Sequence, residues 1–300
     1  MLKIMVANTQ FCFFFTLKLI LCYNVITLVV YYFQNIRMMT MPKKYLYFMT
    51  VATITFLTVS TYQVANGQEF VTDGLVLYYS FDKDTVTKNK VTDLSGKGND
   101  GKLIGKLKSM DGPPKGDFGQ AFEYEGDADC YVEIPALGDW EQVSIECWAM
   151  ENEFGGIQGI VSTWMWEPGK VHFKFEGNEI QVHKNDGVKI RMPAEAETWY
   201  HIIYTSDPKD GGPKSLKLYV DGEFIQEGAA GKAPENMKER RVGSEHNGRF
   251  LKGAIDEVRI YDRILEEKEV KQNFKIKSNN MPVDPLDKLT TSWGYLKSRM

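Results

Sequence analysis

Between Leu75 and Tyr261 apolar residues recur at every second position over short stretches, and turn-forming residues separate the stretches. Leu216, Leu218 and Val220 fall on one side of an extended chain, with Lys217 and Tyr219 on the other. The same patterning predicts strands over Leu75–Phe81, Ala121–Glu125, Tyr131–Pro135, Val143–Met150, Gly159–Thr163, Val171–Phe175, Glu179–His183, Val188–Met192, Tyr200–Ser206, Ser215–Val220 and Ala254–Tyr261. Many short strands divided by Gly, Asp, Asn and Pro predict an all-β sandwich, not alternating βαβ units. Asp221-Gly222 is a two-residue hairpin signal, and Asn185-Asp186-Gly187 has a similar composition. Asp207–Pro213 reads as a loop. One helix is expected, over Glu266–Phe274, with Glu266, Glu267 and Glu269 in its first turn and Lys271 and Lys275 towards its end, an order that suits the helix dipole. Its apolar residues are few, so it belongs at the surface. Beyond Asn280, Leu286, Leu289, Trp293 and Leu296 have helical spacing, which suggests a short amphipathic tail after a linker.

The first 67 residues differ from the rest. They hold five basic residues and no acid, while the whole chain has 36 basic and 40 acidic residues. Phe11–Phe33 is strongly apolar. Met41 then opens a second unit, with Lys43 and Lys44, an apolar run to Tyr62 and small residues at Ala65-Asn66-Gly67. That order of charge, apolar core and small residues is the pattern of a secretory signal peptide, with cleavage expected near Gly67. Residues 1–40 read as an upstream extension, or alternatively as a membrane span at Phe11–Phe33, the only membrane contact expected. The division is therefore 1–40 upstream, 41–67 signal peptide, 68–278 β domain, 279–300 linker and tail, and the expected location is extracytoplasmic. The acidic balance after residue 67 argues against a nucleic-acid partner.

Eight segments, in order, resemble the laminin-G-like, concanavalin A-like jelly-roll superfamily in its bacterial secreted form. They are 75–82, 93–101, 118–126, 131–135, 143–148, 199–201, 216–222 and 250–263. The resemblance covers Gly74–Lys275 and implies two packed antiparallel sheets with the first and last strands adjacent. It also implies a binding role at loops on one edge, and in many relatives a structural Ca²⁺. Three departures stand out: Glu266 occupies a helix cap where the family has Ser, Cys130 is an extra residue in the loop before Tyr131, and Trp164-Met165-Trp166 is not a family signature.

Candidate chemistry follows from these elements. Asp82 ends the first strand and Asp256 lies on the last, so their carboxylates should be neighbours. With Asp93 and Asn99 from the following loop they form a candidate Ca²⁺ set of hard oxygens. Asp127 and Asp129 are a second choice, and the bland reading is that all these acids cap turns. Trp164 and Trp166, two apart, would share one face of a strand end and offer rings to a sugar, with Trp140 in another loop. Otherwise they pack beneath a loop. Cys130 and Cys147 are the only cysteines after residue 67, and in an exported protein they suggest a disulfide. Such a bridge would contribute roughly 3 kcal/mol.

Gly96-Lys97-Gly98-Asn99-Asp100-Gly101 matches a dinucleotide fingerprint, but no helix follows, so nucleotide binding is not expected. Glycosidases of this superfamily usually carry an alternating Glu-x-Asp-x-Glu run on one strand, and no such run occurs here. His201 follows Trp199-Tyr200 and reads as a packing residue. The expected function is a secreted, non-catalytic module that recognises a glycan or an extracellular or envelope protein. The alternatives are a structural envelope component without a small ligand, and a glycoside hydrolase.

Overall fold

A computed structural model describes residues 69–126, 130–163, 165–245, 249–276 and 278. In chain order the strands are β1 (Leu75–Tyr79), β2 (Val86–Thr87), β3 (Lys90–Val91), β4 (Gly101–Ile104), β5 (Lys108–Asp111), β6 (Gln120–Glu125), β7 (Tyr131–Glu133), β8 (Asp139–Trp140), β9 (Val143–Glu151) and β10 (Gly155–Gly159). They continue with β11 (Val161–Thr163), β12 (Val171–Gly177), β13 (Glu179–Lys184), β14 (Lys189–Pro193), β15 (Tyr200–Ser206), β16 (Leu216–Val220), β17 (Glu223–Gly228), β18 (Glu235–Asn236), β19 (Arg240–Val242) and β20 (Lys252–Tyr261). A single helix, α1 (Glu267–Lys275), closes the described chain.

One layer is a large antiparallel sheet in the order β17-β16-β15-β9-β20-β6-β5, with β1 also paired to β20. The opposing layer is made of a six-stranded sheet, β11-β19-β7-β4-β3-β2, and a four-stranded sheet, β10-β12-β13-β14. First and last strands are adjacent as expected: Leu75 pairs with Tyr261 and Leu77 with Ile260. The core lies between the layers. Leu77, Ile145, Ile202 and Ile260 from the large sheet meet Val132, Phe173, Phe175 and Val182 from the others, all shielded from solvent.

β20 has an irregular alternation with a physical cause. Ile255, Val258 and Ile260 all enter the core, although 255 and 258 have different parity. The register with β9 shifts between Asp256 and Arg259, and Glu257 takes φ of 54°. This bulge absorbs one residue and returns the strand to phase, sending Arg259 and Tyr261 to the outer face. There α1 and the segment Phe70–Val71 cover a second apolar layer with Tyr78, Trp148 and Ile203. The helix is tied down at its start by Arg263, whose two terminal nitrogens each lie 2.8 Å from a Glu269 oxygen, and Glu269 Oε2 also accepts the Glu266 amide at 2.8 Å.

The expected bridge between Cys130 and Cys147 is not formed; both thiols are free. Cys147 points inward from β9 into the core, where burial raises its pKa. Cys130 precedes β7, with its Sγ 3.3 Å from the Lys106 carbonyl. Reductant should therefore leave the melting temperature unchanged, whereas loss of a true bridge of this loop would remove about 3 kcal/mol. The expected signal peptide, the apolar run Phe11–Phe33 and the tail after residue 279 lie outside the described residues.

Candidate functional site

Alternation on the four-stranded sheet builds the site. Phe173, Phe175, Ile180 and Val182 face the core, so His172, Lys174, Gln181 and His183 point away from it. Yet His172 and Lys174 are only 1% exposed. Trp166, in the loop between β11 and β12, folds back over them: its ring stacks on His172 at 3.8 Å and 20°, and its centroid lies 5.3 Å from His183. Lys174 Nζ lies 5.2 Å, and the Arg249 guanidinium carbon 5.6 Å, from the same indole. Trp166 itself remains 50% exposed.

Glu245 lies at the base of this cluster. Its Oε1 is 3.0 Å from His172 Nδ1, and it also pairs with Arg249. Burial pushes the Glu245 carboxyl up, but His172, Lys174 and Arg249 outweigh burial and hold it below its ordinary value. Burial, followed by the charges of Lys174 and His172, lowers the His183 pKa. His172 Nε2, Gln181 Oε1 and Glu245 Oε2 are buried without a hydrogen-bond partner. An exposed aromatic ring above unsatisfied polar atoms and charged neighbours suits a ligand with both an apolar face and hydroxyl groups.

Asp186 fixes the loops around this face. It accepts the Gly169 amide at 2.9 Å, the Ala233 amide at 2.8 Å and Lys184 Nζ at 2.5 Å, and Lys184 is fully buried. Asn185 Nδ2 donates to the Glu167 carbonyl at 3.1 Å. Asp186→Ala should destabilise the protein by about 1–3 kcal/mol, measured by urea unfolding, because three donors lose one charged acceptor.

The predicted site residues separate. Of the two alternatives for the tryptophan pair, Trp166 is half exposed, while Trp164 lies outside the described residues, as do Asp127 and Asp129. Trp140 is elsewhere: its Nε1 donates to the Leu137 carbonyl at 2.8 Å, and its ring lines a cleft of about 860 Å³ with Glu141, Gln142, Lys209, Lys232 and Asp262. None of the residues around Trp166 lines that cleft. Trp148 is buried and Trp199 packs against the second apolar layer. His201 is 1% exposed and packs on Trp148, with Nε2 2.9 Å from Glu146.

Of the four residues in the candidate Ca²⁺ set, the fold brings two together. Asp82 and Asp256 meet at the base of the β5–β6 hairpin. A Cβ on Gly119 would lie 1.8 Å from Asp82 Oδ1, and one on Gly112 would lie 2.9 Å from Asp256 Oδ2. Asp256 is fully buried, and its Oδ2 has no hydrogen-bond partner. Asp93 is engaged by backbone instead. Its oxygens accept the amides of Tyr78, Ser95 and Asn99 and the Ser95 hydroxyl at 2.8–2.9 Å. Asn99 donates its side-chain amide to the Val76 carbonyl. These two shape the 93–101 loop. Among the described residues no three His, Cys, Asp or Glu side chains cluster as a metal site.

A buried charge network under α1 has no signature in the sequence pattern. Glu146 on β9 takes hydrogen bonds from Arg259 at 2.9 Å and Asn273 at 2.6 Å as well as its contact with His201. Arg259 also pairs with Glu257, which accepts the Tyr78 hydroxyl at 3.0 Å. This is a structural tie between sheet and helix.

Similarity to known proteins agrees with this architecture. Residues 126–271 match the family described as the Concanavalin A-like lectin/glucanases superfamily. Among solved structures, the binding domain of Paraclostridial Mosquitocidal Protein 1 is similar at 17% identity and TM-score 0.53, over 68% of this chain and 52% of that one. Domain 4 of AbnA, a GH43 extracellular arabinanase from Geobacillus stearothermophilus, in complex with arabinotriose, gives 18% and 0.51 over 66% and 97%. The binding domain of botulinum neurotoxin DC in complex with rat synaptotagmin II gives 15% and 0.52 over 68% and 52%. The chain spans about half the length of the toxin domains it matches. No curated protein matches the sequence. At these identities the structural likeness speaks for the fold alone: the chain carries a two-sheet jelly-roll sandwich, and its residues 126–271 are similar to the concanavalin A-like lectin/glucanase superfamily.

Proposed function

We propose that this protein is an exported, non-catalytic module that binds glycan through the Trp166 face of the four-stranded sheet. The observation that carries the reading is a half-exposed indole stacked on His172, with His183, Lys174 and Arg249 around it and the Glu245 carboxylate paired to His172 below. A sugar ring has an apolar face for the indole and hydroxyls for the partly exposed His183 and Arg249 at its edge. Support also comes from the similar domains: one is in complex with arabinotriose and another with synaptotagmin. A protein surface is thus the second kind of partner. The hydrolase reading is weakened because Glu146, Asp256 and Glu257 are fully buried inside the fold and face no open cleft. A glycan array probed with the native protein and with Trp166→Ala tests the proposal. At least one glycan that binds the native protein and not the variant supports it; no signals for either, or identical signals for both, refute it.

A structural Ca²⁺ is a separate proposal, favoured by the orphaned Asp256 Oδ2 beside Asp82. The residues fit a hard cation: Asp82 and Asp256 would supply carboxylate oxygens, and backbone carbonyls of the 112–119 turn the rest. Ca²⁺ there would neutralise two adjacent acids and fasten the hairpin to β20. Ca²⁺ at a hundredfold excess over its Kd should add about 2.7 kcal/mol to stability relative to chelator. The gain should be absent in Asp256→Asn. Equal melting temperatures in Ca²⁺ and chelator for the native protein would exclude the site.

A further inference from the structure

We infer that the Trp140 cleft is a second, independent binding site, and that it takes a short neutral saccharide. Its volume of about 860 Å³ lies within the range of small-molecule sites, roughly 300–1,000 Å³. Trp140 lines the cleft, and its indole is held still by its hydrogen bond to the Leu137 carbonyl and by packing against the core, so it is part of a fixed wall and not a mobile cover. That contrasts with Trp166, whose loop lies over its own partners.

The polar lining gives the ligand class. Glu141, Lys209 and Asp262 are exposed and make no side-chain hydrogen bond or ion pair among the described residues. Acceptors and donors therefore face the same space; beside them lie Gln142, whose side-chain amide donates to Asp207, and Lys232, whose Nζ donates to the Asp210 carbonyl and keeps further N–H groups. Asp139, also at the cleft, is already paired with Lys238 at 2.5 Å. Two free acids then balance two lysines, so the cleft attracts neither a phosphate nor a polycation by net charge. Hydroxyl groups donate to Glu141 and Asp262 and accept from Lys209 and Lys232, while the ring of a sugar lies against the indole. A neutral saccharide satisfies all three, and it requires no buried unpaired charge.

The test uses the full chain and neutral tri- and tetrasaccharides of glucose, xylose, galactose and mannose, titrated by calorimetry. At least one should bind, and its Kd should rise tenfold or more in Trp140→Ala and in the exposed double variant Glu141→Gln/Asp262→Asn. The double variant guards against misfolding of Trp140→Ala, and melting curves verify that each variant is folded. Trp166→Ala should leave this Kd unchanged. Three results overturn the inference: no saccharide of the panel binds, the double variant binds as the native protein does, or Trp166→Ala removes the binding. The last result would leave the Trp166 proposal standing while sinking this one.

Discussion

Arg259→Ala is expected to destabilise the protein by about 3–5 kcal/mol, the loss typical of breaking a buried ion pair from one side. Arg259 is fully buried and pairs with both Glu146 and Glu257. Its removal strands two carboxylates beneath α1, where water cannot reach them. With a shift of roughly 2–4 °C per kcal/mol for a domain of this size, the melting temperature should fall by about 6–20 °C. The loss measures what remains when one charge goes, and an apolar core of the same shape could be equally stable.

The same network sets an acid limit. Burial pushes the Glu146 carboxyl up, but the Arg259 charge and then the His201 and Asn273 hydrogen bonds overcome that and hold it at about 2. Because the folded value lies below the ordinary one, the contribution is complete above the ordinary carboxylate range and is lost as pH falls from about 4.5 towards 2. The amount is on the order of 3 kcal/mol. Glu146→Gln should therefore flatten the acid limb of the stability curve between these values. An unchanged limb in urea titrations at successive pH would show that Glu146 is not held this way.

Trp166→Ala should weaken glycan binding by about 2 kcal/mol or more, the range of an aromatic anchor at a recognition site, or about 30-fold in Kd. Stability should change far less, because half of the ring already faces solvent and a ring stack contributes only about 0.5–1.5 kcal/mol. Trp166→Phe keeps an aromatic face and should recover part of the affinity. The separation of a large binding loss from a small melting shift distinguishes a recognition role from a packing role, and calorimetry with matched thermal denaturation reads both.

The strands of the large sheet are legible in the sequence because their side chains report their surroundings. Ile145, Cys147 and Ala149 alternate inward on β9, which also places Cys147 in the core and away from the surface loop of Cys130. The three-residue step from Ile255 to Val258 records the bulge in β20. Polar edge strands leave no such record. β5 and β17 are mostly solvent-facing, and their extension comes from backbone pairing with β6 and β16. The same limit applies to the site. Trp166 stands out as an unusual residue, and the alternation through Val171, His172, Phe173, Lys174 and Phe175 marks an outward polar row. Nothing local joins them to Glu245 and Arg249, which arrive from a distant loop. Asp93 belongs to the Ca²⁺ set by sequence but not by structure for a related reason. An acid that binds a cation and one that caps a loop look alike until the backbone amides are in place.

The most direct test is a crystal structure of the protein with a glycan selected on the array. A sugar ring lying on the Trp166 indole, with hydroxyls reaching His183, Arg249 or the atoms uncovered beneath the ring, is the predicted result. A glycan bound on the outer face of the large sheet, with Trp166 bare, would contradict a recognition role for the four-stranded sheet.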